Sequence, residues 1–231
     1  MIPIIIDKRF CGPPDSGNGG YSAGIIATNL PFLPEITLRA PPPLNQSMQL
    51  LVKEDTATLV DGDTLIAEAK IADFQLNIPI PITFEQAIKA KIAVSAYESS
   101  PFQSCFVCGA NRAEGDGLNI RSRTIGYQKV AAPWIPFASL GDENGRVKAE
   151  FIWAALDCPG AWAIQEETQF YLLGRMATKI EQSVKVGDKY VIMGWVIATE
   201  GRKTWTGTAI YDEEGNICAY AKGTWISVKQ K

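Results

Sequence analysis

Histidine is missing altogether from the 231 residues. Its absence excludes Ser-His-Asp and Cys-His nucleophilic systems, histidine-ligated metals and an imidazole general base. An enzyme built from this chain must work with carboxylates, hydroxyls, amides and backbone dipoles. An excess of one charge is missing too. The 22 Lys and Arg nearly balance the 25 Asp and Glu, for a net charge of −3 and a pI near 5.2. No dense basic stripe runs through the chain, so a nucleic-acid partner is not expected, because phosphate binding needs clustered cations. Long apolar runs are also lacking: no window reaches the roughly 18 residues of a membrane span. The stretch from Met1 to Asp7 lacks the basic start and apolar length of a signal peptide. The five cysteines are an odd number and read as reduced thiols rather than a disulfide framework. A cytoplasmic location is the expectation.

The composition, 46% hydrophobic and 20% charged, can bury a sizeable core. Within it stand two candidate helix starts. The first is Gly17-Asn18-Gly19-Gly20-Tyr21-Ser22-Ala23-Gly24, where small residues leave backbone N–H groups bare at the positive end of a helix. It reads either as a donor cradle for an anion or carbonyl oxygen, or as a tight loop into a close-packed helix. Asn18 would cap that helix or offer its amide to a carbonyl. The second is Leu156-Asp157-Cys158-Pro159-Gly160, which carries an acid. Asp157 suits an N-cap, with a proline just inside the helix. It also suits a base or nucleophile, because a helix dipole would hold it ionised. The two starts are expected to face each other across one site.

The order of elements reads as a plan used twice. A strand at 2–6, a helix from Gly19 to about Leu30, and strands at Glu35–Arg39, Met48–Lys53, Ala57–Val60 and Thr64–Ala72 make the first half. Residues 73–84 are proline-rich. An amphipathic connector helix follows at about 83–96, with Thr83 and Gln86 spaced as a capping box. The second half offers strands at Gly117–Ile125, Lys129–Trp134 and Val147–Trp153, then a helix over about 155–167. Four long strands close it, at Met176–Val184, Lys189–Thr199, Lys203–Asp212 and Ile217–Val228. The stretch from Gly62 to Lys70 parallels that from Gly215 to Lys222 with one residue deleted. The expected division is 1–98 and 99–231.

Cys105-Phe106-Val107-Cys108-Gly109 is a lone CxxC. With Cys11, Cys158 and Cys218 scattered, no metal site is expected, and buried or turn thiols are the plain reading. Arg112, Arg175, Lys179, Arg202 and Lys203 are phosphate-contact candidates or solvated cations. The six tryptophans, all from Trp134 onward, read chiefly as packing.

Gly19-Gly20, Leu156-Asp157 and the closing strand pattern resemble the hotdog superfamily in its double-hotdog arrangement. The quoted parts of that closing pattern are Val186-Gly187-Asp188, Gly201-Arg202-Lys203, Asp212-Glu213-Glu214-Gly215 and Ala219-Tyr220-Ala221-Lys222-Gly223-Thr224. The resemblance implies an α+β protein of two tandem hotdog units, each an antiparallel sheet wrapped around a helix, forming an intramolecular pseudo-dimer. It implies an acyl-CoA thioesterase-like hydrolase that cleaves a thioester at the seam between units and uses no cofactor or metal. The partner is acyl-CoA or a related thioester, and a homodimer of pseudo-dimers is left open. Carried over residue by residue, Asn18, Gly19, Gly20 and Tyr21 offer donors to the thioester carbonyl, with Gly160 beside them, and Asp157 activates water or attacks. Gly19 to Leu30 contains no acid, so at most one of two equivalent sites is catalytic. In many members of the superfamily the acid lies about two turns inside its helix, whereas Asp157 is expected to open one. The alternative is a non-catalytic acyl-CoA or lipid-binding module.

Overall fold

The structure, a computed structural model, describes residues 1–90, 100–113, 115–164 and 169–228. The first half runs β1 (Ile2–Ile5), α1 (Gly19–Ala27), β2 (Pro34–Leu38), β3 (Ser47–Val52), β4 (Thr56–Asp61) and β5 (Thr64–Ile71). Helix α2 (Phe84–Lys89) follows the proline-rich segment, closed by the Thr83–Gln86 capping box. It stops at Ala90, whose extended backbone ends the turn. The expected continuation to residue 96 falls outside the described residues. The second half runs β6 (Arg123–Gly126), β7 (Lys129–Trp134), α3 (Ala149–Ala155), α4 (Cys158–Ala163), β8 (Phe170–Ile180), β9 (Tyr190–Glu200), β10 (Lys203–Tyr211) and β11 (Ile217–Val228).

The eleven strands of the described residues form one antiparallel sheet in the order β1-β3-β4-β5-β2-β8-β11-β10-β9-β7-β6. Outward from the central β2–β8 pair the order runs β2, β5, β4, β3, β1 on one side and β8, β11, β10, β9, β7 on the other, where β6 adds one more strand. On each side the middle strand is followed by the hairpin strands, and by the strand that precedes α1 or α3. At the centre Ile36 stands opposite Met176. The two similar stretches recognised in the sequence enter β5 and β11, which hold matching places in this order. Further features recur 130 residues apart. A single helical turn at Lys8–Phe10 matches one at Ala138–Leu140. The bridge Cys11–Gly17 matches Gly141–Val147, and the cap position Asn18 matches Lys148.

Packing on the two faces of the sheet is unequal, with Ile5, Leu51, Val52 and Ile71 of the first half exposed. On one lie α1, α3 and α4 over a core that includes Ile36, Leu50, Leu59, Ile152, Met176, Ile192 and Ile210. On the other, the proline-rich segment and α2 cover Ala131, Val191, Met193 and Tyr211. Alternate residues of β7 and β9 serve the two layers, as the pleat requires.

Two expected elements differ. Val147–Trp153 is not a strand; Ala149–Ala155 is helical and buried from Phe151 onward. A fully buried helix turn and a buried strand both read as a short apolar run, so periodicity does not separate them. Gly117–Ile125 is a strand only from Arg123. Its alternation is nevertheless real, since Leu118, Ile120 and Ser122 are buried. The partner is the cysteine loop rather than the sheet, because Leu118 and Ile120 N–H groups donate to the Phe106 and Val107 carbonyls.

Candidate active site

The site forms where α1 and α3 cross. Gly20 and Gly24 sit one helical turn apart on the contact face of α1. A Cβ at Gly20 would lie 2.5 Å from the Asp157 Cβ and 2.7 Å from the Trp153 carbonyl oxygen. One at Gly24 would lie 2.7 Å from the Trp153 Cβ. The glycines therefore let the two helices approach to backbone distance, which is why this stretch is so poor in side chains.

Asp157 stands at the N-cap position of α4, as expected, but it follows α3 directly and lies nine residues beyond that helix's cap position Lys148. Pro159 lacks the N–H that would continue α3, so the chain breaks and restarts. Thr208 Oγ1 donates to the exposed end carbonyl of Leu156 at 2.8 Å and fixes the break. The Asp157 side chain caps nothing in its own helix. It reaches across to the other half, where Oδ2 accepts from Gly20 N at 2.9 Å and from Asn18 Nδ2 at 2.8 Å. Its other oxygen, Oδ1, is buried and has no hydrogen-bond partner among the described residues. Asp157 is only 3% exposed and Asn18 2%. Burial pushes the Asp157 carboxyl up to about 7, against the opposing pull of the Gly20 N–H and the Asn18 amide. The expectation that the helix dipole holds it ionised is outweighed by burial, which raises the carboxyl although Asp157 stands at the start of α4.

The remaining expected donors separate. Tyr21 N donates to Asn18 Oδ1 at 2.9 Å, the helix cap, and is not free for a ligand. The Tyr21 ring is stacked on Phe10 and packed edge-on against Phe106. Gly20 N is committed to Asp157. Gly19 N, by contrast, has no partner among the described residues, and Gly19 is half-buried beside Leu38 of β2 and Leu173 of β8. Gly160 lies apart from this group. A Cβ there would meet Thr206 Oγ1 at 2.6 Å and Trp225 Nε1 at 2.9 Å, and its N–H donates to the Asp157 carbonyl. Gly160 thus seats α4 on β10 and β11.

The place related to this site by the 130-residue recurrence holds Lys148 for Asn18 and Glu150 for Gly20. Ala27 stands where Asp157 does in the other half. That place therefore has no acid at the position matching Asp157.

Most candidate phosphate contacts have other work. Arg112 pairs with Asp116 at 2.9 Å and donates to the Ser104 and Arg9 carbonyls, clamping the cysteine loop. Arg175 meets Thr37 and Glu35, Lys179 meets Glu181, and Arg202 donates to the Ser227 carbonyl. Of the tryptophans, Trp134, Trp153, Trp195 and Trp225 are buried. Two surface clefts, of about 480 and 320 Å³, lie beneath the proline-rich segment and touch neither Asn18 nor Asp157. The cysteine loop is the part of the neighbourhood that sequence reasoning missed. It brings Cys105 Sγ within 3.8 Å of Asn18 Nδ2.

No family model matches the sequence, and no curated protein matches it. Solved structures do match. The PaaI protein of the E. coli phenylacetic acid degradation operon aligns with a TM-score of 0.50 at 11% identity, over 61% of this chain and 99% of that one. The thioesterase HI1161 of Haemophilus influenzae aligns at 0.47 and 16% identity, over 53% of this chain and 85% of that one. An uncharacterised Pyrococcus horikoshii protein, PH1136, aligns at 0.45 and 24% identity, over 49% and 85%. The structural likeness is to thioesterase-superfamily proteins of hotdog fold and extends over about half of the chain. No helix among the described residues is long and apolar enough to cross a membrane.

Proposed function

We propose that the chain is two tandem hotdog units, 1–98 and 99–231, paired within one molecule, and that it hydrolyses an acyl-CoA or related thioester at their seam. One observation carries the reading. A carboxylate from one half is anchored by one oxygen on the helix start of the other, leaving its second oxygen buried and unpartnered beside that start. In this reading Asp157 Oδ1 takes the proton of an attacking water. The Gly19 N–H polarises the thioester carbonyl and carries the developing oxyanion. Asn18 and Gly20 act by positioning, since both hold Asp157 in place. The thiolate leaves readily, so no strong acid is required of the protein. Leu38 and Leu173, flanking Gly19, would contact the acyl group. A non-catalytic acyl-CoA binder is the second reading, favoured by the burial of Asp157 and by the absence of a second acid at the matching position.

Free thiol release from a panel of acyl-CoAs distinguishes the two. Turnover by the native chain and a loss of about 10²-fold or more in Asp157→Asn, with binding retained, is the expected result. Binding without turnover on every chain length leaves the binder. Turnover untouched by Asp157→Asn keeps a hydrolase and removes this site from it.

A further inference from the structure

Beside the Asn18–Asp157 pair, the fold gathers three cysteines that lie far apart in sequence. Cys105 and Cys108 come from the loop that follows the connector, and Cys158 opens α4. Their sulfur atoms all lie within 4.8 Å of one another. All three are buried and none is in a disulfide. Cys105 Sγ and Cys158 Sγ are 3.7 Å apart. A tetrahedral zinc with Zn–S bonds of about 2.3 Å has its sulfurs about 3.8 Å apart. The spacing CxxC is the usual first half of such a site. What the sequence alone concealed is the third ligand, which arrives because the α3–α4 break turns Cys158 toward the loop.

The Asn18 amide donates to Cys105 Sγ at 3.8 Å, which sets a polar donor beside the three sulfurs. The turn itself is shaped for the purpose: a Cβ at Gly109 would lie 2.6 Å from the Cys105 carbonyl oxygen. Only glycine lets the loop fold tightly enough to present both sulfurs to one point.

We propose that Cys105, Cys108 and Cys158 bind a zinc ion as three thiolates, tying the cysteine loop to the α3–α4 break next to Asp157. Binding displaces three thiol protons to solvent and changes no oxidation state. Thiolates select soft cations, and three sulfurs around one centre suit a single ion. The site is independent of the thioesterase reading, because its evidence is ligand geometry rather than the placement of an acid. Its effect on the molecule is positional. Cys158 follows Asp157 in the chain, and Cys105 contacts the amide that holds the Asp157 carboxylate, so the ion would brace both.

The test uses the full chain, produced with added zinc and purified under reducing conditions. Elemental analysis is expected to find near-stoichiometric zinc, lost in Cys105→Ser, Cys108→Ser and Cys158→Ser and retained in Cys218→Ser. Metal-free native chain titrated with Co²⁺ is expected to develop thiolate-to-cobalt charge-transfer absorption and the intense visible bands of a tetrahedral ion. The cobalt titration keeps the proposal falsifiable if a serine variant fails to fold. Three results would overturn it: no zinc and no charge-transfer absorption in the native chain, zinc retained in all three variants, or a Cys105–Cys158 disulfide in the freshly purified protein by non-reducing mass spectrometry.

Discussion

Asn18 does two jobs with one amide. Its oxygen caps α1 through Tyr21 N, and its nitrogen holds Asp157 Oδ2. Asn18→Asp separates them. The cap acceptor survives, while an acceptor replaces the donor that faced a buried carboxylate. A lost hydrogen bond to a charged group is worth about 1.5–3 kcal/mol, and like-charge repulsion adds to it. Urea unfolding should show a loss of at least about 2 kcal/mol, and thiol release should fall with it. A loss of only a few tenths would mean that Asp157 does not depend on that amide. The neighbouring glycines should behave unequally. Gly20→Ala drives a methyl into the Asp157 Cβ and the Trp153 carbonyl, which have no room to retreat, for a loss of about 1–3 kcal/mol. Gly19→Ala meets only Leu173 at 3.0 Å and Leu38 beyond it. It should fold nearly as well and raise KM for the acyl substrate. Equal loss of stability in the two would contradict the packing described. Asn18, Gly19, Gly20 and Asp157 were all readable as candidates, because glycine runs and an isolated acid before a proline leave a mark in sequence. Which N–H goes to which acceptor was not readable, since that depends on how closely two helices cross.

At the scale of elements, the strands were legible wherever alternation met a turn signal, as at Asp61-Gly62-Asp63 between β4 and β5. The central helix of the second half was not. Phe151 to Leu156 is buried throughout because α3 packs along α1 within the helix-side core, and such a run carries no period. That one misreading hid the helix leading into Asp157, which the sequence shows only as the start of α4. The cysteine loop was illegible for a different reason: its partners, Arg9, Cys11 and Asn18, are about a hundred residues earlier. Its clamp gives a pH test. Asp116 lies against Arg112 and Arg9, and the Arg112 guanidinium above all holds its carboxyl below the usual value. A carboxylate lowered on folding contributes stability that is present above its unfolded value of about 3.9 and is lost as pH falls through the folded one. Asp116 is 44% exposed, so the contribution is modest. Native chain and Asp116→Asn should therefore differ in thermal midpoint at neutral pH and converge as the pH drops below about 4. A gap that persists in acid would assign the difference to packing rather than to the ion pairs.

The whole molecule is held by one sheet and one helix-side core that both cross the midline. Strand β2 pairs with β8, α1 packs on α3, and the Phe106 side chain of the second half sits among Phe10, Tyr21 and Phe151. The Asn18–Asp157 pair obeys the same rule, with the carboxylate from one half and its anchor from the other. Neither half can then keep its structure while the other is lost, and unfolding should be a single cooperative transition. The tryptophans make this measurable. All six lie between Trp134 and Trp225, so indole fluorescence reports chiefly the second half, while far-ultraviolet circular dichroism reports both. Leu50 of β3 is fully buried and distant in the sheet order from every tryptophan-bearing strand. Leu50→Ala should remove about 2–5 kcal/mol. If the halves are one unit, the fluorescence midpoint in urea shifts by the full amount and stays coincident with the dichroism midpoint. If they are two domains that merely touch, fluorescence keeps its native midpoint while dichroism splits into two steps. The second outcome would also remove the structural basis for a site shared across the seam, because an acid and its anchor on independently opening domains would not hold 2.8 Å contacts.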